Sequence, residues 1–396
     1  MKRIYSDIIN KHLANFQQMI FLSGGRQVGK TTIANKLQDA EYLNWDNIVH
    51  RKKMLTLLEE LDNLKYSTQL KSQNIIIFDE FHKFKNWKNY IKGFYDTYKA
   101  DYHIILTGSA RLNIYRKGGD SLMGRYFNYT VHPLSLGEIL RPNTCSGDVQ
   151  PPISSNNNEY EVLYKFGGYP DPFIKQQEEF HLMWQNLRFQ QLFREDIRDI
   201  EDIKLLGQLE TLAYILQQQS GSLLKYAGLA NKVQVSSVTL KKWIKLLESF
   251  YYCFTLKPYS KNVTKSLIKE PKIYLYDWSV IEDPGSRFEN FIASHLLKSV
   301  DLWNETGKGK YELYYIRTKD QKEVDFLVTK NSQPWILVEA KLSNGSISKN
   351  LINFKSKLNA THAFQVVHDL EYVDKSCFDE YNPIIIPART FLSQLV

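Results

Sequence analysis

Cysteine is scarce in this sequence, and its few copies are scattered. Cys145, Cys253 and Cys377 are the only three among 396 residues, and none has a CxxC partner or histidines at metal-ligand spacing. A disulfide framework and a structural zinc site are therefore excluded as organising features. We expect all three cysteines to be reduced.

Long apolar runs are missing as well. No run approaches the roughly 20 residues that a membrane-spanning helix needs. Residues 1–7 quickly become polar and lack the apolar core of a signal peptide. These absences predict a cytoplasmic protein without membrane contact.

The composition is that of a globular chain, with 43% hydrophobic and 24% charged residues. Its length predicts several domains. In the first ~130 residues short apolar runs alternate with helical patterns, which is typical of a parallel sheet with crossover helices. The predicted strands are residues 19–23, 74–79 and 103–107, with 42–46 as a candidate fourth, and a loop or linker is predicted over 142–158.

Basic charge is concentrated in one segment. Between Lys225 and Lys272 there are ten lysines, no arginine and only two acids, Glu248 and Glu270. This segment carries a net charge of +8, which is the net charge of the whole chain, so charges elsewhere cancel. Such localised charge favours contact with a polyanion. The alternative is a lysine-rich face that is merely solvated.

A phosphate-binding P-loop occupies residues 24–31. It follows a predicted strand that ends at Ser23 and precedes a predicted helix over residues 31–37, as such a loop requires. Backbone N–H groups would wrap the phosphates, Lys30 would reach the β- and γ-phosphates, and the Thr31 hydroxyl would ligate Mg²⁺. The residues predicted to bind ATP here are Gly24, Gly25, Arg26, Gln27, Val28, Gly29, Lys30, Thr31 and Thr32.

An acidic pair ends the predicted strand over residues 74–79. Asp79 is placed to hold the Mg²⁺ shell, and Glu80 is placed to orient the attacking water. An Asp-Glu pair favours ATP hydrolysis over phosphoryl transfer to a small molecule. The candidate catalytic residues are Glu80, Lys30 of the P-loop, and Arg125, which is described next.

Two further positions remain open at this site. Either Thr107 or Ser109, after the strand over residues 103–107, is placed to sense the γ-phosphate. Arg125 is a candidate to complete the site in cis or from a neighbouring subunit, which leaves self-association open. The alternative for Arg125 is an ordinary surface salt bridge.

These motifs together resemble the prokaryotic AAA-type ATPases (AAA_14) that carry a C-terminal DUF4143 region. The resemblance covers nearly the whole chain and rests on six stretches, residues 24–32, 78–83, 106–110, 121–126, 132–138 and 167–170. One departure is Gly25, where relatives often have proline, and the loop should tolerate it. The resemblance implies an AAA-type ATPase followed by a winged helix.

Residue patterns support the winged helix independently. Helices are predicted over residues 205–219, 222–230 and 238–250, with a serine cap in the turn at 234–237. The third helix places an apolar stripe, Leu240, Trp243, Ile244 and Leu247, opposite Lys241, Lys242 and Lys245. Because lysines favour phosphate contact over base readout, we expect DNA binding with weak sequence preference. The alternative is a module that packs between neighbouring domains.

A second candidate metal site lies near the C-terminus. Strands at 323–328 and 335–341 are joined by a turn, so Asp325 should lie beside Glu339, with Lys341 on the same face as Glu339. Two carboxylates and a lysine suit Mg²⁺ and a bound water. The pattern resembles the PD-(D/E)XK nucleases, and Glu289 matches their preceding helical acid. Intact residues of this kind also occur in scaffolds without activity.

The overall prediction is an α/β protein in four parts. We expect a P-loop parallel-sheet ATPase core over residues 1–140, a helical lid or linker over 141–204, a winged helix over 205–262 and a small α/β nuclease-like domain over 263–396. ATP and Mg²⁺ are the predicted cofactors and DNA the predicted partner, with DNA cleavage as an open question. The alternative function is an ATP-driven signalling or protein-interaction switch whose nuclease-like domain is silent.

Overall fold

The structure is a computed structural model, and it describes residues 1–65, 74–108, 122–155, 158–198, 205–260 and 270–396. The chain divides into two compact units. The first comprises residues 1–132 and 142–144, and the second comprises residues 133–141 and 145–396.

A five-stranded parallel sheet forms the centre of the first unit. Its order is β2-β3-β4-β1-β5, which places β1 between β4 and β5. The strands are Met19–Ser23 (β1), Ala40–Asn44 (β2), Asn74–Asp79 (β3), Tyr102–Thr107 (β4) and Tyr126–Thr130 (β5). β1 and β4 are buried along their whole length because helices cover both faces of a parallel sheet. The predicted parallel α/β core is confirmed.

The structure corrects two strand predictions. β2 ends at Asn44 and not at residue 46, because Asn44 starts a turn: its Oδ1 accepts a hydrogen bond from the Asp46 N–H at 2.7 Å. β5 was not predicted at all. It lies at the edge of the sheet, and its Phe127 is 44% exposed, so it lacks the apolar run of a buried strand.

The described residues of the first unit include four α-helices: Ile4–Asn15 (α1), Lys30–Ala34 (α2), Ile48–Lys65 (α3) and Trp87–Tyr98 (α4). The helix after the P-loop is shorter than the predicted 31–37. Lys36 and Leu37 donate their N–H groups to carbonyls three residues back, so the chain tightens and leaves the α-helix after Ala34.

A mixed seven-stranded sheet, in the order β12-β11-β10-β9-β8-β6-β7, dominates the second unit. Its strands are Cys253–Pro258 (β6), Lys272–Leu275 (β7), Tyr311–Arg317 (β8), Glu323–Lys330 (β9), Gln333–Lys341 (β10), His362–Val367 (β11) and Ile384–Pro387 (β12). The α-helices among its described residues are Leu136–Leu140 (α5), Glu159–Phe166 (α6), Pro170–Lys175 (α7), Glu178–Gln191 (α8), Leu206–Gln218 (α9), Tyr226–Val233 (α10), Ser237–Ser249 (α11), Pro284–Glu305 (α12), Lys349–Leu358 (α13) and Ala388–Ser393 (α14). A π-helical segment, Leu192–Ile197, extends α8. None of the described helices has the length and apolarity needed to cross a bilayer.

Three helices, α9 to α11, precede the β6–β7 hairpin. Ser236 caps α11 by accepting a hydrogen bond from the Thr239 N–H at 3.0 Å. The predicted apolar stripe of α11 is buried, and its three lysines are exposed. α10 begins four residues later than predicted, because Gly221 and Leu224 donate their N–H groups to carbonyls in and just before β7.

The predicted C-terminal hairpin is present as β9 and β10. Asn331 and Ser332 make its two-residue turn with φ of 51° and 66°, and two-residue hairpin turns favour such positive values. The register pairs Leu337 with Leu327 and Val338 with Phe326. It therefore brings Asp325 and Glu339 to the same end of the hairpin.

Candidate functional site

The P-loop of the first unit connects β1 to α2 and requires glycine at its start. Gly24 has φ of +146°, and a Cβ atom there would lie 2.4 Å from the Val131 carbonyl oxygen. Any side chain would therefore push the loop away from the chain that follows β5. Gly29, with φ of +96°, is the N-cap residue that precedes α2.

Lys30 is folded into this loop and buried. Its ammonium donates to the carbonyl oxygens of Gly24, at 2.9 Å, and Gly25, at 2.7 Å. The loop thus curls around a cation, which is the arrangement that an incoming phosphate can use.

A buried arginine supports the loop from outside. Arg3, just before α1, donates to the carbonyl oxygens of Val28, at 2.5 Å, and His132, at 2.7 Å. The contact fixes the P-loop against the segment after β5. Sequence reasoning missed Arg3, because a single arginine near the start of a chain carries no motif.

Asp79, at the end of β3, is the centre of a hydrogen-bond network. Its carboxylate, only 2% exposed, accepts from the hydroxyl of Thr31 at 3.1 Å and from the hydroxyl of Thr107. The Tyr42 hydroxyl and the Asn44 amide, the latter at 3.4 Å, donate to the same group. The strands β2, β3 and β4 and the P-loop helix therefore meet at this carboxylate.

Tyr42 and Asn44 were not predicted as site residues. They alternate along β2, so both side chains lie on the face of the sheet that carries Asp79. Burial, followed by the hydrogen bond to Asp79, raises the pKa of Tyr42. Tyr42 therefore remains a protonated donor at neutral pH.

This arrangement fits a divalent cation. Thr31 and Asp79 place oxygen atoms side by side, and hard oxygen ligands are what Mg²⁺ prefers. Thr107 lies in the same network, whereas Ser109 lies outside the described residues.

Glu80 follows Asp79 with φ of 54° and leaves the strand. Its side chain is about 26% exposed and lies 3.5 Å from His82 Nε2 and 3.7 Å from Lys83 Nζ. Burial raises the pKa of Glu80, while the ammonium groups of Lys30 and Lys83 oppose that shift. A carboxyl of raised pKa beside the metal position suits proton acceptance from water.

Arg125 forms a two-pronged ion pair with Asp96 on α4. Its Nε and Nη2 atoms lie 2.8 and 3.1 Å from the two carboxylate oxygens. The structure thus places Arg125 in the surface salt bridge that the sequence left as an alternative.

The C-terminal acids lie together in the second unit. Asp325 Oδ2 accepts a hydrogen bond from the Ala340 N–H at 2.9 Å, and Glu339 Oε1 pairs with Lys341 Nζ at 3.0 Å. Burial, followed by the charges of Glu289 and Glu339, raises the pKa of Asp325 to about 8. The other oxygen of Glu339, Oε2, is buried and has no hydrogen-bond partner among the described residues.

Lys272 occupies the Glu289 side of this cluster. Its ammonium lies 3.0 Å from Glu289 Oε1 and 2.5 Å from Glu323 Oε1, and the residue is 3% exposed. Tyr274 also donates to Glu289 at 2.7 Å, and Arg317 pairs with Glu323 at 2.6 Å.

The position of Lys272 therefore corrects part of the interpretation that the lysine-rich segment contacts a polyanion. It belongs to the lysine-rich segment, yet it faces the interior, and acids outside that segment neutralise it. Lys261, Lys265 and Lys269 lie outside the described residues. The exposed cations of the predicted DNA face that the structure describes are Lys241, Lys242 and Lys245.

The cluster fits a cation only in part. The unpartnered Glu339 Oε2 and the crowding of Asp325 by like charges are features that a cation would relieve. Within the described ranges, however, no three His, Cys, Asp or Glu side chains converge to hold a metal ion. Asp325 and Glu339 therefore remain a predicted pair of ligands and do not form part of a larger described cluster.

Comparison with known families agrees with the sequence resemblance. An AAA domain matches residues 16–140, a domain of unknown function (DUF8612) matches 157–282, and a domain of unknown function (DUF4143) matches 284–386. The chain therefore joins an N-terminal AAA domain to a C-terminal DUF4143 region, which confirms the predicted family relationship. The DUF8612 match was not predicted, and it spans the three helices and hairpin of residues 205–275.

Individual relatives are distant. An uncharacterized protein of Methanocaldococcus jannaschii is 22% identical over 98% of this chain and 88% of its own length. An uncharacterized protein of Mycobacterium tuberculosis is 20% identical over 84% of this chain and 72% of its own. Among solved structures, the ORC1 protein of Aeropyrum pernix in complex with DNA is 10% identical, covers 73% of this chain and 91% of its own, and aligns with a TM-score of 0.33. Structural similarity at this level carries no functional argument.

The raised pKa of Asp325 predicts a measurable effect on stability. Between its unfolded pKa of about 4 and its folded pKa of about 8, the folded protein binds more protons than the unfolded chain. The free energy of unfolding therefore falls as pH rises through that window. Asp325→Asn should melt higher than wild type at pH 8.5 in the presence of a chelator, and the difference should shrink toward pH 5. Asp320→Asn, at an exposed position, serves as the control, and a difference that does not change with pH would contradict the assignment.

Proposed function

We propose that this chain hydrolyses ATP with Mg²⁺ in its first unit, and that the nucleotide state controls the binding of DNA by its second unit. The observation that carries the first part is the buried Asp79 carboxylate, which joins the P-loop hydroxyl of Thr31 to the strand-end hydroxyl of Thr107. A site with this construction fits a nucleoside triphosphate better than it fits a neutral ligand.

Each residue has a defined role in the proposed hydrolysis. Loop N–H groups and Lys30 would hold the phosphates, and Thr31 and Asp79 would hold Mg²⁺, which supplies charge neutralisation on the phosphate oxygens. Glu80 would orient water and accept its proton. Thr107 is a candidate for phosphate sensing, because its hydroxyl contacts Asp79.

DNA binding is proposed for the α9–α11 helices and the β6–β7 hairpin, which we interpret as a winged helix. The buried stripe of α11 fixes the helix on its neighbours, and its opposite face presents Lys241, Lys242 and Lys245 to solvent. Lysines on an exposed helix face suit phosphate contacts, which give affinity without sequence readout.

Two specific observations bear on whether the nuclease-like region cleaves DNA or is catalytically silent. The unpartnered Glu339 oxygen beside Asp325 and Lys341 favours a metal-dependent DNA cleavage site. The ion pairs of Lys272 with Glu289 and Glu323 favour the alternative, an ATP-driven switch whose nuclease-like domain is silent. Glu289 would have to release Lys272 before it could help to bind a metal ion.

Substitutions in the nucleotide site should separate binding from turnover. Lys30→Ala should abolish ATP binding, because it removes the cation at the centre of the loop. Glu80→Gln should retain ATP binding but lose hydrolysis by about 10²-fold or more, as expected for loss of a catalytic base. Nucleotide binding and phosphate release measure the two effects. Lys85→Gln, at an exposed position outside the proposed site, is a control for general disturbance, and normal turnover in the Glu80 variant would refute the role of Glu80.

Removal of helix lysines should change the salt dependence of DNA binding. Log affinity falls as log salt rises, and each lost phosphate contact reduces the steepness of that fall by roughly 0.9. Lys242→Gln/Lys245→Gln should therefore lower it by about 2 on duplex DNA of any sequence, measured by fluorescence anisotropy. Lys349→Gln/Lys357→Gln on α13 removes equal charge elsewhere and should leave the slope unchanged. Affinity that stays flat with salt in wild type would end the DNA proposal, and DNA-stimulated ATPase activity would support coupling.

A cleavage assay should decide between the two nuclease-region candidates. If the domain is active, plasmid cleavage with Mg²⁺ or Mn²⁺, tested with and without ATP, should be lost in Asp325→Ala and kept in Asp320→Ala. Calorimetric titration with Mn²⁺ should show binding that Asp325→Ala removes. Absence of both cleavage and Mn²⁺ binding in wild type would favour the silent switch.

A further inference from the structure

A cavity of about 580 Å³ lies in the second unit, between the α9–α10 region and residues of β7, β8 and β9. Its volume falls within the roughly 300–1,000 Å³ typical of small-molecule sites. It is large enough for one nucleotide and too small for a duplex. The residues on which the argument rests are Lys225, Lys232, Lys272, Arg317, Glu323 and Gly228.

The lining carries a surplus of positive charge. Four basic side chains line the cavity, of which Lys272 and Arg317 are paired with acids, so Lys225 and Lys232 supply the uncompensated charge. Lys225 and Lys232 are exposed and take part in no ion pair with another described residue. Two unpaired ammonium groups beside a concave surface favour an anionic ligand.

The other two cations are held in place by Glu323. Its two carboxylate oxygens pair with Lys272, at 2.5 Å, and with Arg317, at 2.6 Å. The basic groups at this side of the cavity are therefore oriented before any ligand arrives, and a preorganised guanidinium suits a phosphate.

One helical residue lets a ligand approach the backbone closely. No atom lies within 4 Å of the position that a Cβ of Gly228 would occupy, and Gly228 lines the cavity. Gln219 and Ser222 add neutral polar groups that suit a sugar or a base. Charge, volume and polarity thus agree on one class of ligand.

We propose that this cavity binds a phosphomonoester carried by a nucleotide, either free or at the end of a nucleic-acid strand. The site is separate from the P-loop and from the lysines of α11. Its floor adjoins the acidic cluster, because a Cβ at Gly221 would lie 3.3 Å from the Glu289 carboxylate. The proposal does not depend on ATP hydrolysis, on DNA binding by α11 or on cleavage.

The experiment uses the full chain carrying Lys30→Ala, so that the P-loop does not contribute. Calorimetric titration with AMP is compared with titration by a short single strand bearing a 5′-phosphate and by the same strand ending in a 5′-hydroxyl. We expect one phosphate-dependent site. Lys225→Glu/Lys232→Glu should weaken it by about tenfold or more, since each charged hydrogen bond is worth roughly a factor of ten.

Gly228→Trp tests the cavity by filling it. A side chain at this helical position should not impair folding, since glycine is a poor helix former, and thermal unfolding checks this. The matched control is Gly207→Trp on α9, where a Cβ also meets nothing within 4 Å but which lies outside the cavity lining. Binding should be lost in the first variant and kept in the second.

The outcomes decide the proposal and the source of the phosphate. AMP binding that the cavity variants remove identifies a free-nucleotide site, and binding of the 5′-phosphorylated strand alone identifies a strand-end site. The proposal would be overturned by any of three results. These are no binding of either probe, equal binding of the 5′-hydroxyl strand, and equal losses of binding in Gly228→Trp and Gly207→Trp. Lys349→Gln/Lys357→Gln on α13 removes equal charge at exposed positions outside the cavity lining and should bind the probes normally.

Discussion

The buried carboxylate of Asp79 fixes how the first unit is assembled at its functional edge. It accepts hydrogen bonds from Tyr42 and Asn44 on β2, from Thr107 on β4 and from Thr31 on α2. A buried charge without these donors would cost several kcal/mol. The network therefore binds neighbouring strands and the P-loop helix into one arrangement, and a metal ion that draws on Asp79 must also alter the bonds that hold β2. Under the proposed function, binding of a nucleotide with Mg²⁺ would therefore be coupled to the position of β2.

The parts of this site that could be predicted are those formed by residues that are consecutive in the sequence. The glycines and Lys30 of the P-loop, and the apolar strand that ends in Asp79 and Glu80, each carry their chemistry within a short window. Tyr42, Asn44 and Arg3 act through contacts with residues far away in sequence. Their roles depend on the register between β2 and β3 and on the path of the chain after β5, and neither is encoded locally. β5 itself was missed for a similar reason, since an edge strand needs no continuous apolar run.

The second unit shows a different limit of sequence reasoning. The period-two pattern predicted the β9–β10 hairpin and the meeting of Asp325 with Glu339, because side-chain alternation and a short turn determine both. The lysine count, in contrast, treated every lysine as a surface charge. Lys272 is buried between Glu289 and Glu323, while Lys241 and Lys245 are exposed on α11. A charge total reports neither burial nor pairing, so it overstated the surface that is open to a polyanion.

The contacts of the P-loop have a consequence for the order in which the protein is made. Arg3 joins the Val28 carbonyl to that of His132, and Gly24 packs against Val131, so the loop is fixed in part by residues that are synthesised much later. β1 likewise pairs with β4 and β5 only after both have been made. Pairings of such long sequence separation form slowly and late. We therefore expect the phosphate loop to reach its final conformation on the ribosome only after the segment that follows β5 has emerged.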